Sequence, residues 1–243
     1  MNETGLLEIV KEWEPDLFLV AGWYHMIPKA WRTVAPAYGL HASLLPDYSG
    51  GAPLVWSIIN GEKKTGITLF QMDDEVDSGP IAGQKEEPIY PSDQIGDLYS
   101  RIEQRGLELI QECIPKIANG SVELIQQNET KRRIMPQRGP EDGVIDWNLE
   151  GEFIERFIRA QTRPYPGAFS TWNEKKLHIW SSKFAISSEH REPGRVYLEN
   201  CKYIVGCRKD AIQLNEITYG NQTFNRSKIS ELFGGGGKSW ANQ

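Results

Sequence analysis

Residues 16–22 read DLFLVAG, a continuous apolar run of the kind that forms a strand covered on both faces in a parallel sheet. A parallel strand needs a neighbour reached by a crossover, so this one run points to an α/β layer. The amphipathic stretch GLLEIVKEW (5–13), which stops before Pro15, supplies a helix ahead of it. With only that helix in front, the strand is expected at a sheet edge unless another segment or a partner covers it.

The following segments keep to the same plan. APLVWSIINGE is apolar over several turns and ends at Asn60-Gly61, a helix with its C-cap. TGITLFQMD (65–73) alternates as a strand does, and DSGPIAGQKEEPI (77–89) reads as a turn and a second strand. From Ser92 to Gly120 apolar residues recur near a 3.6 period, which predicts a long helix behind a Ser92-Asp93 cap with a kink point at Pro115. Residues 129–147 are polar and broken by Pro and Gly, as a connector would be, and LEGEFIERFIRAQ (149–161) is again helical. After PYPGAFSTW come the short runs KLHIWSS, GRVYL, KYIVGC and AIQLNEI, spaced by turn residues as in a small antiparallel barrel. The chain therefore reads as three parts: a catalytic domain over 1–128, a connector with a helix over 129–165, and a β-rich domain over 166–243.

Composition narrows the function. A chain of 243 residues with net charge −6 offers little for non-specific binding to phosphates, although TKRR leaves a short basic stretch. No apolar run is long enough for a membrane helix, the start is too acidic for a signal peptide, and a cytoplasmic protein is expected. Cys113, Cys201 and Cys207 lack zinc spacing and read as reduced thiols, and the four histidines are too scattered for a metal cluster. The acidic run DDEVD (73–77) lacks the spacing and terminal glutamate of a calcium loop. GGGGKS (234–239) lacks the first glycine and the following helix of a phosphate loop and reads as a flexible tail.

The chemistry points to GLHASLLPDYSGGAPLVW (39–56). A lone histidine, His41, ends a strand-like approach, a Leu-Leu-Pro turn follows, and paired glycines keep the next backbone open. Asp77 lies in a VDSG turn at the end of the next strand region; in an open α/β sheet adjacent strand ends are where ligands bind. A carboxylate there would hold the imidazole's tautomer.

HASLLP, GGAPLVWSIINGE, TGITLFQMD, VDSG, PEDGVIDW, FIRAQTRPYPGAF and KLHIWSS stand in the order found in folate-dependent formyltransferases. Over roughly residues 16–220 the chain resembles the group of methionyl-tRNA and sugar-nucleotide formyltransferases, most closely the 4-amino-4-deoxy-arabinose type. The resemblance implies an α/β fold class: a Rossmann-like formyltransferase domain, shortened at its N-terminus, followed by a small OB-like domain. It also implies 10-formyltetrahydrofolate as formyl donor and a small-molecule amine as acceptor, a nucleotide-linked amino sugar being favoured over tRNA. A homodimer is compatible with it, and a membrane is not implicated.

The family's asparagine, histidine and aspartate, in NxHxSLLP and DxG, fall here on Gly39, His41 and Asp77. Donor contacts fall on Gly22, Trp23, Tyr24 and Met26 of the GWYHM loop and, as the opposite wall, on Asp74, Val76 and Asp77. Gly39 brings no side-chain donor, and Asp47 and Ser49 stand where relatives commonly carry basic residues, as in PKYRG. Relatives also carry strands and helices ahead of the counterpart of DLFLVAG.

Overall fold

The computed structural model describes residues 3–186 and 191–234. The chain divides into two compact units, one of residues 1–54, 63–89 and 99–137 and one of residues 55–62, 90–98 and 138–243. Its elements begin with α1 (Glu3–Glu12), β1 (Phe18–Ala21), α2 (Lys29–Arg32), β2 (Ala37–His41), β3 (Ser49–Gly50) and α3 (Pro53–Ile59). They continue with β4 (Lys64–Gln71), β5 (Ile81–Pro88), α4 (Ile95–Ala118) and β6 (Ile134–Met135).

The sheet of the first unit has the order β1-β2-β4-β5. β1 runs parallel to β2, with Phe18 opposite Ala37 and Ala21 opposite Leu40, whereas β2, β4 and β5 pair antiparallel. DLFLVAG is thus an edge strand. Its expected burial on both faces is not found: β1 alternates half-buried and exposed residues, because an edge with one neighbour has less around it.

The strand that is buried on both faces is β4, every residue of which from Thr65 to Phe70 is covered. TGITLFQMD therefore lacks the solvent face that its alternation implied. On one side α4 crosses so closely that a Cβ at Gly106 would lie 3.0 Å from Ile67, and one at Gly83 of β5 would lie 2.9 Å from Leu109. On the other side a Cβ at Gly66 would meet Leu44 at 2.5 Å. Residues two apart on a strand share a face. His41 pairs with Thr68 and Gly39 with Phe70, so these four residues lie on the sheet face turned away from α4.

α4 starts differently from its expected cap. The Gln94 N–H donates to the Asp97 carboxylate at 3.0 Å, while the Asp93 carboxylate closes the preceding turn by accepting from the Tyr90 N–H at 2.7 Å. The helix runs through Pro115 to Ala118.

In the second unit, α5 (Gly151–Gln161) precedes β7 (Ala168–Trp172), β8 (Lys175–Ala185), β9 (Val196–Glu199), β10 (Lys202–Gly206), β11 (Ala211–Tyr219), β12 (Gln222–Asn225) and α6 (Ile229–Phe233). The strands form one antiparallel sheet of order β7-β8-β11-β10-β9, with β12 also pairing β11. Ile154 and Ile158, one helical turn apart, turn a buried face of α5 into a core with Trp147, Leu177, Ile179 and Ile212. Phe233 of α6 packs 5.2 Å from the Trp172 ring. The GGGGKS tail lies, from residue 235 on, outside the described residues.

Burial raises the Cys113 thiol, and burial followed by the Asp210 charge pushes Cys207 up to about 12, while Cys201 is exposed. Only a thiolate attacks a disulfide reagent. An aromatic disulfide added to the folded protein at mildly alkaline pH is expected to titrate Cys201 fast and the other two only after denaturation. A fast reaction at Cys207 would contradict its burial in the core of the second unit.

Candidate active site

His41 is the last residue of β2, and residues 42–48 fold tightly back behind it. The Ser43 N–H donates to the His41 carbonyl at 2.9 Å and the Ser43 hydroxyl to the Asp47 carbonyl at 2.7 Å. Thr68 of β4 pins this turn. Its hydroxyl donates to the Ser43 carbonyl at 2.7 Å and accepts from the Leu45 N–H at 3.2 Å and from the Gln84 amide at 2.9 Å. One donor and two acceptor positions are thereby all used. The turn returns Tyr48, at φ 54°, so that its carbonyl lies 2.7 Å from His41 Nε2. A carbonyl only accepts, so Nε2 carries the proton.

The other ring nitrogen, Nδ1, lies 3.5 Å from Asp77 Oδ2, and both side chains are largely buried. That same oxygen accepts the Gly50 N–H at 2.8 Å. The route by which Asp77 arrives differs from a meeting of adjacent strand ends. Because β2 and β4 are antiparallel, the end of β4 lies beside Tyr38, at the far end of β2 from His41. Residues 72–80 fold back to close that separation. Gly79 makes the fold-back fit, since a Cβ there would lie 1.8 Å from the Gln71 carbonyl oxygen.

Gly39 shares the sheet face of His41, two residues before it. A Cβ at this position would stand 2.8 Å from Cε1 of Phe70, its cross-strand partner, so the Phe70 ring fills the space that a side chain would need.

The residues expected to meet a folate divide into two groups. Trp23, Tyr24, Met26 and Val76 are exposed, and Tyr24 is 78% accessible, so none is a core residue. Trp23 and Tyr24 pack face to face at 6.4 Å, with the His25 ring 4.4 Å from Tyr24, and Gly22 has φ 64° and open space where a Cβ would be. Asp74 is instead ion-paired. Arg32 of α2 hydrogen-bonds it and Lys29 lies 3.7 Å away, and these two cations hold its carboxyl below the ordinary range. Arg32 also donates to the Ile27 carbonyl at 3.1 Å, tying the end of the 22–27 loop to the loop that carries Asp77.

Sequence reading missed the part played by residues 132–135. β6 pairs in parallel with β3, the Ser49 N–H donating to the Arg133 carbonyl at 3.0 Å and the Gly51 N–H to the Met135 carbonyl at 2.8 Å. Arg133 grips the Asp47 carboxylate with two hydrogen bonds of 2.5 and 2.6 Å, and Arg132 Nε lies 3.3 Å from the Ser49 hydroxyl. Positive charge is thus present beside both positions where the local sequence lacks it. The only signal was the TKRR run, which reads equally well as a solvated basic stretch.

A separate cavity in the second unit is lined by Val55, Arg138, Gly139, Gln161, Tyr165 and Gly167, among others. Arg138 lies over the Trp56 and Phe157 rings at 4.6 and 5.4 Å, and burial lowers its pKa. None of the residues singled out from the sequence lines this cavity.

The first unit is a Rossmann-like α/β domain holding a largely buried histidine–carboxylate pair, and the second is β-rich. Residues 2–114 match the formyl transferase family and residues 138–231 match the formyl transferase C-terminal domain. The chain belongs to the formyltransferase family.

Among solved structures, HypX from Aquifex aeolicus in complex with tetrahydrofolic acid is similar at 18% identity and TM-score 0.72, covering 98% of this chain and 44% of that one. This chain thus spans less than half the length of HypX. A methionyl-tRNA formyltransferase from Clostridium thermocellum is similar at 26% identity and TM-score 0.61, covering 90% of this chain and 86% of that one. An N-formyltransferase from Helicobacter canadensis in complex with folinic acid and dTDP-3-aminofucose is similar at 20% identity and TM-score 0.61, with coverage of 84% and 71%.

Proposed function

We propose that this protein transfers a formyl group from 10-formyltetrahydrofolate to a primary amine on a nucleotide-linked amino sugar, in the cytoplasm. The observation that carries the reading is the largely buried pair of His41 and Asp77, with the Gly50 N–H holding the carboxylate, in a unit that also presents the GWYHM loop. The open backbone at Gly22 and the exposed Trp23 and Tyr24 rings suit a flat heteroaromatic donor such as a pterin. In the same reading the antiparallel sheet of the second unit closes as an OB-like barrel.

The donor supplies an electrophilic formyl carbon, and attack by an amine places negative charge on the formyl oxygen while the amine must lose a proton. Asp77 accepts that proton, directly or through water, and passes one to the departing folate nitrogen. His41 is held in one orientation by the Tyr48 carbonyl, with Nδ1 3.5 Å from the Asp77 carboxylate, which the Gly50 N–H keeps aimed. When the substrates are in place the ring exchanges its Nε2–H from the Tyr48 carbonyl to the formyl oxygen, where it stabilises the developing charge. Gly39 leaves that oxygen no side-chain donor on the preceding residue of the same face, so the His41 N–H and a backbone N–H or water take its place.

The acceptor follows from charge and likeness. A tRNA acceptor wants free basic surface. The net charge is −6, and Arg132 and Arg133 are engaged by Glu75, Glu129 and Asp47. The Helicobacter canadensis relative, crystallised with an amino-sugar nucleotide, supports the sugar reading. The likeness to the Clostridium thermocellum enzyme favours methionyl-tRNA as the second reading.

Calorimetric titration with 5-formyltetrahydrofolate tests the donor, and saturable heat at millimolar ligand or below is the expected result. No binding would leave an inactive formyltransferase-like module as the remaining reading. With binding in hand, release of tetrahydrofolate is compared for amino-sugar nucleotides and charged initiator tRNA. Faster turnover with tRNA would overturn the sugar assignment.

A further inference from the structure

The turn that carries Asp77 is braced only in part from within its own loop, where the Asp73 carboxylate accepts from the Glu75 N–H at 3.1 Å and the Ser78 hydroxyl at 2.6 Å. Asp77 sits at φ 52°, in the left-handed region, which aspartate enters more readily than most residues but still at a cost that surrounding contacts must offset. The hydrogen bonds to the carbonyls of residues 76, 77 and 79 come from a segment some fifty residues further along the chain. The Gln127 side-chain amide donates to the Asp77 carbonyl at 2.8 Å and to the Gly79 carbonyl at 2.7 Å. The Arg132 guanidinium donates to the Val76 carbonyl and pairs with Glu75 at 3.4 Å.

Gln127 Oε1 is buried without a hydrogen-bond partner. The amide cannot be reversed, because its oxygen would then face two carbonyl oxygens. The side chain therefore leaves one acceptor unsatisfied while spending both N–H groups on the turn that carries Asp77. The segment is anchored on either side. Ile125 exchanges two backbone hydrogen bonds with Ile81 of β5, at 2.8 and 2.9 Å, and β6 pairs with β3, whose Gly50 holds the Asp77 carboxylate. Residues 125–135 lie between the two stretches that match the family, 2–114 and 138–231.

We propose that Gln127 is a positioning residue for Asp77: its carboxamide clamps the 77–79 backbone so that the carboxylate meets His41, with Arg132 as the second point of the clamp. The proposal rests on the reading in which Asp77 moves the proton. Its physical content is that the peptide planes around Asp77 turn when Gln127 lets go, and a displacement of about 1 Å at a reacting group costs about 100-fold in rate.

Gln127→Met keeps the volume and removes both donors. With 10-formyltetrahydrofolate and dTDP-3-aminofucose, or whichever amine acceptor wild type uses, kcat is expected to fall about 10- to 100-fold while KM for the folate changes by less than about 3-fold. The pH–rate profile is expected to move with it, since the misaligned group is the one exchanging protons. A purely structural role would lower the melting temperature and leave kcat and the profile of the folded protein unchanged, which overturns the proposal.

Gln127→Asn, one methylene too short to span both carbonyls, is expected to show the same loss and serves if the Met variant does not fold. Asp77→Asn is run beside them. If it is impaired and both Gln127 variants turn over as wild type, the clamp is wrong; if Asp77→Asn itself is unimpaired, the catalytic reading fails and the proposal with it. Independently of any acceptor, amide exchange across residues 73–80 is expected to quicken at least about 10-fold in Gln127→Met. Unchanged exchange overturns the clamp.

Discussion

Replacing His41 by alanine is expected to lower formyl-transfer turnover by at least about 100-fold, the scale of losing one fixed donor at a developing oxyanion. The geometry explains why so much depends on one ring. It bridges the Tyr48 carbonyl, 2.7 Å from Nε2, and the Asp77 carboxylate, 3.5 Å from Nδ1, so its removal takes away a donor and one side of the carboxylate's setting together. The Gly50 N–H still holds Asp77, and the fold should survive with a stability loss of about 1 kcal/mol for the hydrogen bond plus a cavity term. A melting curve near that of wild type with turnover collapsed is the expected pair of results. Unchanged turnover would remove His41 from the mechanism.

The second large effect concerns Gly39. Relatives of this family carry asparagine at the corresponding place, which makes Gly39→Asn look like a repair. The structure predicts the opposite. The new Cβ would lie 2.8 Å from Phe70 Cε1, and Phe70 is itself buried with Leu45, Ile81 and Met72 around it. The ring cannot give way without disturbing the turn after His41. Overpacking of this kind costs about 1–3 kcal/mol, and turnover is expected to fall rather than rise. Adding Phe70→Val to Gly39→Asn makes room and is expected to recover the melting temperature lost by the single variant. A gain in turnover from Gly39→Asn alone would show the glycine to be a lesion and would contradict the view that Phe70 and Gly39 are a matched pair.

Local pattern carried a good deal of this. DLFLVAG is a strand parallel to β2, Asn60-Gly61 ends α3, and the run behind Ser92 is a long helix, because periodicity and capping are properties of neighbouring residues. It carried less wherever burial was at stake. The apolar run at 18–21 is half exposed and the alternating one at 64–71 is covered on both faces, because burial depends on how many layers pack against a strand and not on its own letters.

His41 and Asp77 were legible as chemistry-bearing types in a telling order, but the contact between them was not. It is made by a loop folding back from the far end of an antiparallel partner, with Gly79 permitting the close approach. Arg132 and Arg133 were legible only as charge. Their pairing with Glu75, Glu129 and Asp47 turns what reads as a short basic stretch into a brace.

By itself, then, the sequence determined the order of the elements, the residue types on offer and the likeness to formyltransferases, since all three are written in short-range spacing and motif order. Only the tertiary structure decided that the Tyr48 carbonyl sets the His41 tautomer, that Phe70 occupies the place beside Gly39, and that residues 125–135 grip the turn at Asp77. Each of those facts joins atoms brought together by the chain's path through space. Hydrogen bonds and close packing act over a few ångströms, and no local periodicity encodes which distant residue will fill that distance.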